Sequence, residues 1–415
     1  MLITFFCYYK LIMINLRKDF PYLDINSDSN SLIYLDNAAT TQKPFCVIKA
    51  ISDYYSSQNA SVNRGIYKLA ENSTELYQRS REIIANFLCA KFDEIIFTSG
   101  TTQGVNFVAQ SWAKHNLRPG DEIIISQFEH HSNILPWIRL SQELGIVIRY
   151  IPINKNNFDL DYKSYLKLLC SKTKLVSITS CSNAIGTNVD LEFIIKHAKD
   201  YNAKVLIDAA QSVGHMKFDL NNLNVDFLVF SAHKILGPTG IGILYISEKI
   251  HHEVRAYELG GGAVLDVDNF NFTLLKSPEC YEPGTAKVAQ AIGFSQAINY
   301  LNNINFDDLI VHESTLCTYF IEEIQKLKGI KIIGFKEQLK NEGHIVSFVS
   351  DLFHPHDIAA YLDKFNIAVR AGTHCAQPLF KNINIAGTLR VSFYLYNTFQ
   401  EIEFVISKLK DLIKL

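Results

Sequence analysis

The chain has 415 residues, 48% hydrophobic and 20% charged, with a formal net charge of −2. That is the composition of a soluble globular protein long enough for two domains, and its near-neutral balance argues against nucleic acid as a main partner. Eight cysteines are scattered without a Cys-x-x-Cys pair, which fits neither a zinc site nor a disulfide framework and suits reduced thiols in a cytoplasmic compartment.

Met1 to Tyr9 is apolar but too short to span a bilayer. Lys10 follows without a small-residue cleavage signal, so neither a membrane anchor nor a secretory leader is expected. Residues 1–12 are expected to be disordered or to precede a start at Met13, because a regular pattern begins only near Leu16. Leu32 to Thr41 reads as a short strand entering a turn of small residues, where backbone can approach a ligand closely. Pro44 opens a helix through Tyr55. In the loop Asn63-Arg-Gly65, Arg64 either reaches a phosphate or carboxylate or is a plain surface arginine.

A helical period runs from Ser73 to Phe87, and Glu94 to Thr98 is a strand. Ser99-Gly-Thr-Thr-Gln-Gly104 then leads into a helix with Val105, Val108 and Trp112 on one face. A strand, a Gly/Thr turn and a helix offer backbone N–H groups and the Thr101 and Thr102 hydroxyls to an anion such as phosphate. The strand Glu122 to Ser126 is followed by His130 and His131. A histidine past a strand end faces the crevice where α/β sheets hold ligands, and His130 can stack on an aromatic group and move protons. The alternative is a pair of satisfied loop histidines. Adjacent histidines suit one metal ion poorly and no third ligand follows at zinc spacing, so no metal site is expected.

Lys174 to Thr179 and Lys204 to Asp208 are further strands. An aspartate ending an apolar strand is costly unless paired with a cation. Phe227 to Phe230 is a buried strand, and His233, Lys234 and the Gly237-Pro238 breaker follow it. A lysine in so apolar a setting either snorkels to water or gives up its charge. An uncharged amine can condense with an aldehyde, of which pyridoxal phosphate is the commonest. Asp208, one strand earlier at the same sheet edge, would then pair with the protonated pyridine nitrogen; the alternative is a structural salt bridge.

Ile241 to Ile246 is a strand, and Gly260 to Thr285 reads as an irregular hairpin insertion. Ala289 to Leu301 is a long helix joining two domains. Beyond it, His344 to Val349, Ile367 to Arg370 and Thr388 to Phe393 are strands, and Thr398 and Glu401 form a capping box for the last helix. The loop Arg370-Ala-Gly-Thr-His-Cys375 holds a cysteine beside cationic neighbours, a setting that favours thiolate.

Together these segments resemble the cysteine desulfurases of the class V aminotransferase family, and within it the group II (Suf-type) members. The resemblance runs from about Leu16 to the end. It rests on Tyr34-Leu-Asp-Asn-Ala-Ala39, Asn63-Arg-Gly65, Ser99-Gly-Thr-Thr102, Ser126-Gln-Phe-Glu-His-His131, Asp208-Ala-Ala-Gln211, Phe230-Ser-Ala-His-Lys-Ile-Leu-Gly-Pro-Thr-Gly240, Glu282-Pro-Gly-Thr285, Arg370-x-Gly-x-x-Cys375 and Leu389-Arg-Val-Ser392. The compact loop around Cys375 points to group II. Asn63 and Tyr67 depart from it, standing where many relatives have histidine.

The resemblance implies an α/β fold, that of the fold type I pyridoxal-phosphate-dependent transferases. A large domain over residues 31–290 would hold a mostly parallel seven-stranded sheet flanked by helices. A smaller α+β domain over 291–415 would carry Cys375, with the segment 1–30 packing against it. Lys234 would carry the cofactor and move the substrate Cα proton. Asp208 would pair with the ring nitrogen, Gln211 with the ring hydroxyl, and His130 would stack on the ring. Thr101, Thr102, Ser231 and His233 would hold the phosphate, with Thr285 supplied by the other subunit of a homodimer. Arg390, Asn183, Arg370 and Arg64 would bind substrate, and Cys375 would take its sulfur as a persulfide. The implied substrate is L-cysteine or L-selenocysteine. The sulfur acceptor would be a protein of the SufE or SufU kind, supplying iron–sulfur cluster assembly. A selenocysteine lyase or a cysteine/cystine lyase on the same scaffold is the alternative activity.

Overall fold

A computed structural model describes residues 16–24 and 32–414. The expectations for residues 1–12 and for a start at Met13 lie outside the described residues. Two short helical turns, Arg17–Asp19 and Pro21–Asp24, come before a short strand, β1 (Ile33–Tyr34). A large sheet follows, built from β2 (Ile95–Thr98), β3 (Glu122–Ser126), β4 (Val147–Ile151), β5 (Thr173–Thr179), β6 (Lys204–Asp208), β7 (Phe227–Ser231) and β8 (Gly242–Ile246). Its seven strands lie in the order β2-β8-β7-β6-β5-β3-β4. The five strands from β7 to β4 run parallel, and β8 is antiparallel to both its neighbours.

Side chains alternate across this sheet with period two, and both faces are covered by apolar packing. Val176 and Ile178 of β5, Val205 and Ile207 of β6, and Leu228 and Phe230 of β7 enter one core. Leu175, Leu206, Phe227 and Val229 enter the other. The first core is closed by the helices Phe45–Ser57, Lys68–Phe87 and Val288–Asn302, which pack on one another. The helix Lys68–Phe87 begins five residues before the apolar period does, because its first turn carries an apolar residue, Leu69, that faces solvent. β4 carried no sequence expectation. It is an edge strand whose central Arg149 and Tyr150 are exposed, so no apolar run marks it.

The hairpin insertion is β9 (Val264–Val267) with β10 (Phe272–Leu274). A second sheet follows, from β11 (Ile330–Ile333), β12 (Ile345–Ser350), β14 (Arg370–Gly372) and β15 (Thr388–Ser392), antiparallel in the order β11-β12-β15-β14. The expectation of one strand from Ile367 to Arg370 is corrected here. Ile367–Ala368 forms β13, which pairs in parallel with β1, whereas Arg370 opens β14 and pairs with β15. The chain changes partners at Val369, and the apolar run is too short to reveal that. The helices Phe306–Ile324 and Phe399–Ile413 cover the second sheet, and the capping box of Thr398 with Glu401 is present. Phe20 packs edge-on against Tyr396, and Arg17 pairs with Glu401.

Among the described residues, no helix is long and apolar enough to cross a membrane.

Candidate active site

The parallel strands end together, and the loops after β2, β3, β6 and β7 meet the loop Thr373–Ala376 of the second sheet. Between them lies a cavity of about 220 Å³. Lys234, Asp208, Gln211, His130, Thr101, Thr102, Ser231 and His233 line it, joined from the other side by Asn183, Arg370, Cys375 and Arg390. Arg64 and Thr285 are not in it; they line a separate hollow of about 320 Å³ together with Tyr77 and Arg81. A larger groove, about 1050 Å³, lies along Lys196, Lys199 and Lys217, away from this cluster.

Each wall has a local cause. Gly100 takes φ +146°, which lets the chain leave β2 and start the helix Thr101–Val108 at once. A Cβ on Gly104 would sit 2.6 Å from Val229 Cγ1, so this glycine lets the helix lie directly against β7. The helix N-terminus therefore reaches the end of β7, where Ser231 Oγ accepts from Thr101 N–H at 2.9 Å and lies 2.8 Å from Thr101 Oγ1. Thr102 Oγ1 is 2.7 Å from Ser132 Oγ. Hydroxyls and a helix N-terminus at one corner are the groups that bind a phosphate.

Opposite this corner, Asp208 ends β6 and is 3% exposed. Its Oδ1 accepts from Ala210 N–H at 3.0 Å. Burial raises its pKa against the pull of Lys234. Behind it Glu129 is fully buried, and burial pushes its pKa up to about 8 although Thr179 N–H and Asn133 donate to it. Gln211 donates to the Ala38 carbonyl at 2.9 Å. His130 Nδ1 accepts from Ser132 N–H at 3.1 Å, so a neutral ring carries its proton on Nε2. Burial and then the Lys234 charge lower its pKa to about 4. Lys234 itself is brought down to about 8, by burial first, with Asp208 opposing and Arg390 adding to the fall.

The second sheet supplies the remaining wall. Arg390 on β15 is buried; its Nη1 donates to the Asn183 carbonyl at 2.7 Å and its Nη2 to Asp36 at 2.9 Å. Arg370 pairs with the other oxygen of Asp36 at 2.9 Å. Cys375 is exposed, and both it and His374 have positive φ, 57° and 51°. That tight turn is pinned by Asn183, which donates to the His374 carbonyl at 2.7 Å, and by His131 N–H, which donates to the Cys375 carbonyl at 2.9 Å. The cysteine thus hangs from a short fixed loop over the cavity.

Five buried side-chain polar atoms have no partner among the described residues, and three of them belong to residues of this cavity: Asn183 Oδ1, His374 Nδ1 and Arg390 Nε. Orphaned polar groups are costly unless a ligand satisfies them. The set fits pyridoxal phosphate: an amine of lowered pKa, a buried carboxylate, a neutral histidine and a hydroxyl-rich helix start. A separate cluster, His215, Glu313 and His344, is close enough to suggest a metal. Its two imidazoles are stacked, 3.7 Å apart and 14° from parallel, so one ion cannot lie in both ring planes.

Two residues of the site received no role from sequence. Asp36 sits inside a motif, but its bridge to both arginines depends on β1 reaching the second sheet. Glu129 stands beside the histidine that drew the attention, and only burial distinguishes it. The expectation of His374 as a cationic neighbour of Cys375 is corrected here: burial lowers its pKa to about 3, so its ring is neutral.

The sequence profile described as aminotransferase class-V matches residues 33–405. A probable cysteine desulfurase of Halalkalibacterium halodurans is 41% identical over 94% of this chain and 95% of its own length. One from Staphylococcus aureus (strain Mu50) is 39% identical over 95% of each. The apo structure of a cysteine desulfurase from Thermococcus onnurineus NA1 superposes with a TM-score of 0.92 at 38% identity, covering 96% of this chain and 98% of that one.

Proposed function

The chain belongs to the class V aminotransferase family, and from that premise we propose that it is a cysteine desulfurase that converts L-cysteine to L-alanine and takes the sulfur on Cys375. The observation that carries this reading is that Lys234, Asp208 and Cys375, from distant parts of the chain, open onto one cavity. Pyridoxal phosphate, when bound, accepts the electron pair released at the substrate Cα and so weakens the Cβ–S bond.

The chain's own groups divide the remaining work. Thr101, Thr102, Ser231 and His233 would hold the phosphate, and Asp208 would keep a proton on the pyridine nitrogen. Gln211 would bond the ring hydroxyl, and His130 would stack on the ring with its Nε2–H available. Arg390, with its free Nε, grips the substrate carboxylate beside Asn183, and Arg370 adds positive charge. The Lys234 amine carries the proton away from Cα, a role suited to an amine whose pKa lies at about 8. The Cys375 thiolate attacks the substrate sulfur: an S–S bond forms, the Cβ–S bond breaks, and protons delivered to carbon complete alanine. Cysteine plus the Cys375 thiol thereby become alanine plus the Cys375 persulfide, with no outside oxidant.

The same reading makes the protein a cytoplasmic homodimer, with Arg64 and Thr285 of each subunit serving the cavity of the other. A protein of the SufE or SufU kind would accept the sulfur for iron–sulfur cluster assembly. The test is alanine and sulfide production from L-cysteine, with a reductant, by wild type and Cys375→Ala. Loss of both products in a variant that still binds the cofactor is the expected result. Undiminished turnover of L-cysteine by Cys375→Ala would overturn it, and unchanged turnover of L-selenocysteine alone would mark a selenocysteine lyase.

A further inference from the structure

The peptide carbonyl of His233, immediately before Lys234, is held from one side by a single short segment. Thr41 N–H donates to it at 3.0 Å, Thr40 Oγ1 at 3.1 Å, Thr41 Oγ1 lies at 3.2 Å, and Lys43 Nζ donates at 2.8 Å. Two residues on, Leu236 takes the left-handed conformation, φ +66°, and its N–H donates to Thr41 Oγ1 at 2.9 Å. A leucine in that conformation is strained and persists only where its surroundings impose it. The turn that presents Lys234 is thus clamped to residues 40–43.

Lys43 is the unexpected member. Its ammonium donates to the Thr41 and His233 carbonyls, at 2.7 and 2.8 Å, and among the described residues it makes no ion pair with a carboxylate. Burial alone lowers its pKa, to about 7. A surface lysine placed there only for solubility would turn outward to water. This one is turned inward, at the cost of desolvation, onto a carbonyl that a neutral side chain already reaches. It is not among the residues that line the cavity.

We infer that Lys43 is a positioning residue: through the His233 carbonyl it fixes the backbone that aims Lys234 at the cofactor aldehyde and the substrate Cα. The inference rests on the role proposed above for Lys234. It requires no new chemistry, only that the amine be held within a fraction of an ångström of its working position. A misplacement of about 1 Å can cost up to a hundredfold in rate.

The test uses Lys43→Met, which keeps the apolar stem and removes the donor. Lys43→Arg restores a cationic donor, and Thr40→Val removes one neutral donor of the same carbonyl. Three quantities are read: the rate at which added pyridoxal phosphate joins Lys234, followed by visible absorbance; kcat against KM for L-cysteine; and Tm. Lys43→Met should slow both the joining and kcat about tenfold while KM stays within about twofold. Lys43→Arg should recover most of the loss, and Thr40→Val should slow the same two rates less. Should Lys43→Met not fold, the Thr40→Val and Lys43→Arg rates decide. Wild-type rates in Lys43→Met, or a lower Tm with unchanged rates, would overturn the inference. So would Lys43→Arg as slow as Lys43→Met together with a silent Thr40→Val. Lys234→Ala separates the two readings. If it keeps the lysine-linked absorbance, the role of Lys234 falls; if it loses it while Lys43→Met is normal, only the inference falls.

Discussion

Two arginines, Arg81 on the helix Lys68–Phe87 and Arg390 on β15, are buried alike and have opposite fates. Arg81 donates to both oxygens of Glu282, at 2.7 and 2.8 Å, and to the Ile95 carbonyl. Glu282 also accepts from Tyr77 OH and Phe97 N–H. The guanidinium lies over the Phe97 ring, 4.5 Å from its centre. Both oxygens of the Glu282 carboxylate are thus taken up by protein donors. Arg390 is equally buried, yet among the described residues its Nε has no partner and its neighbours Asn183 and His374 each keep an unpaired atom. Burial lowers its pKa although Asp36 opposes the fall. The same residue type is clasped by both oxygens of a carboxylate in one place and keeps a buried donor open in the other, which suits the binding role proposed for Arg390.

Lys234→Met breaks the contrast most severely. Turnover should fall by about 10⁴-fold or more, while the cofactor-free protein becomes more stable, because a buried ammonium has been removed. The pH dependence has a definite sign. The folded residue titrates at about 8 against an ordinary 10.5, so between those values the unfolded chain holds a proton that the folded chain has lost. Its destabilising contribution is full below about pH 8 and fades toward 10.5. Melting curves of wild type and Lys234→Met should thus differ at pH 7 and converge above pH 10.

Arg81→Met is next. It leaves Glu282 buried without its cation, and breaking such a pair costs about 3–5 kcal/mol. Denaturant titration should report that loss, and the surviving folded enzyme should still charge Lys234 with cofactor. A loss of turnover without a loss of stability would place Arg81 with Arg390 instead.

Arg390→Gln should act the other way. On the proposed role of Arg390, removing the charge that would pair with the substrate carboxylate should lower kcat/KM about a hundredfold. Tm should shift little, since Asp36 retains Arg370. A variant that melts early but keeps its kcat/KM would make Arg390 a second Arg81.

The chain's own pattern determined a good deal. Apolar runs of four or five residues ended in chemistry-bearing residues, and the six strands β2, β3, β5, β6, β7 and β8 could be read because burial on both faces leaves a continuous apolar run. The motifs around Lys234, Asp208, Gln211, His130 and Cys375 named their residues in advance, and these do share a cavity. Local signals such as the Thr398 capping box also held. What the sequence lacks is any mark of long-range pairing. That Ile367 turns to β1 while Arg370 turns to β15 depends on which backbone is adjacent in space. Asp36 joins Arg370 and Arg390 only because β1 is carried across to the second sheet. Lys43 looks like any lysine before a helix-opening proline until the fold sets it against the His233 carbonyl. Local propensity is written in neighbours along the chain, whereas desolvation and unfilled hydrogen bonds arise only when distant segments exclude water together.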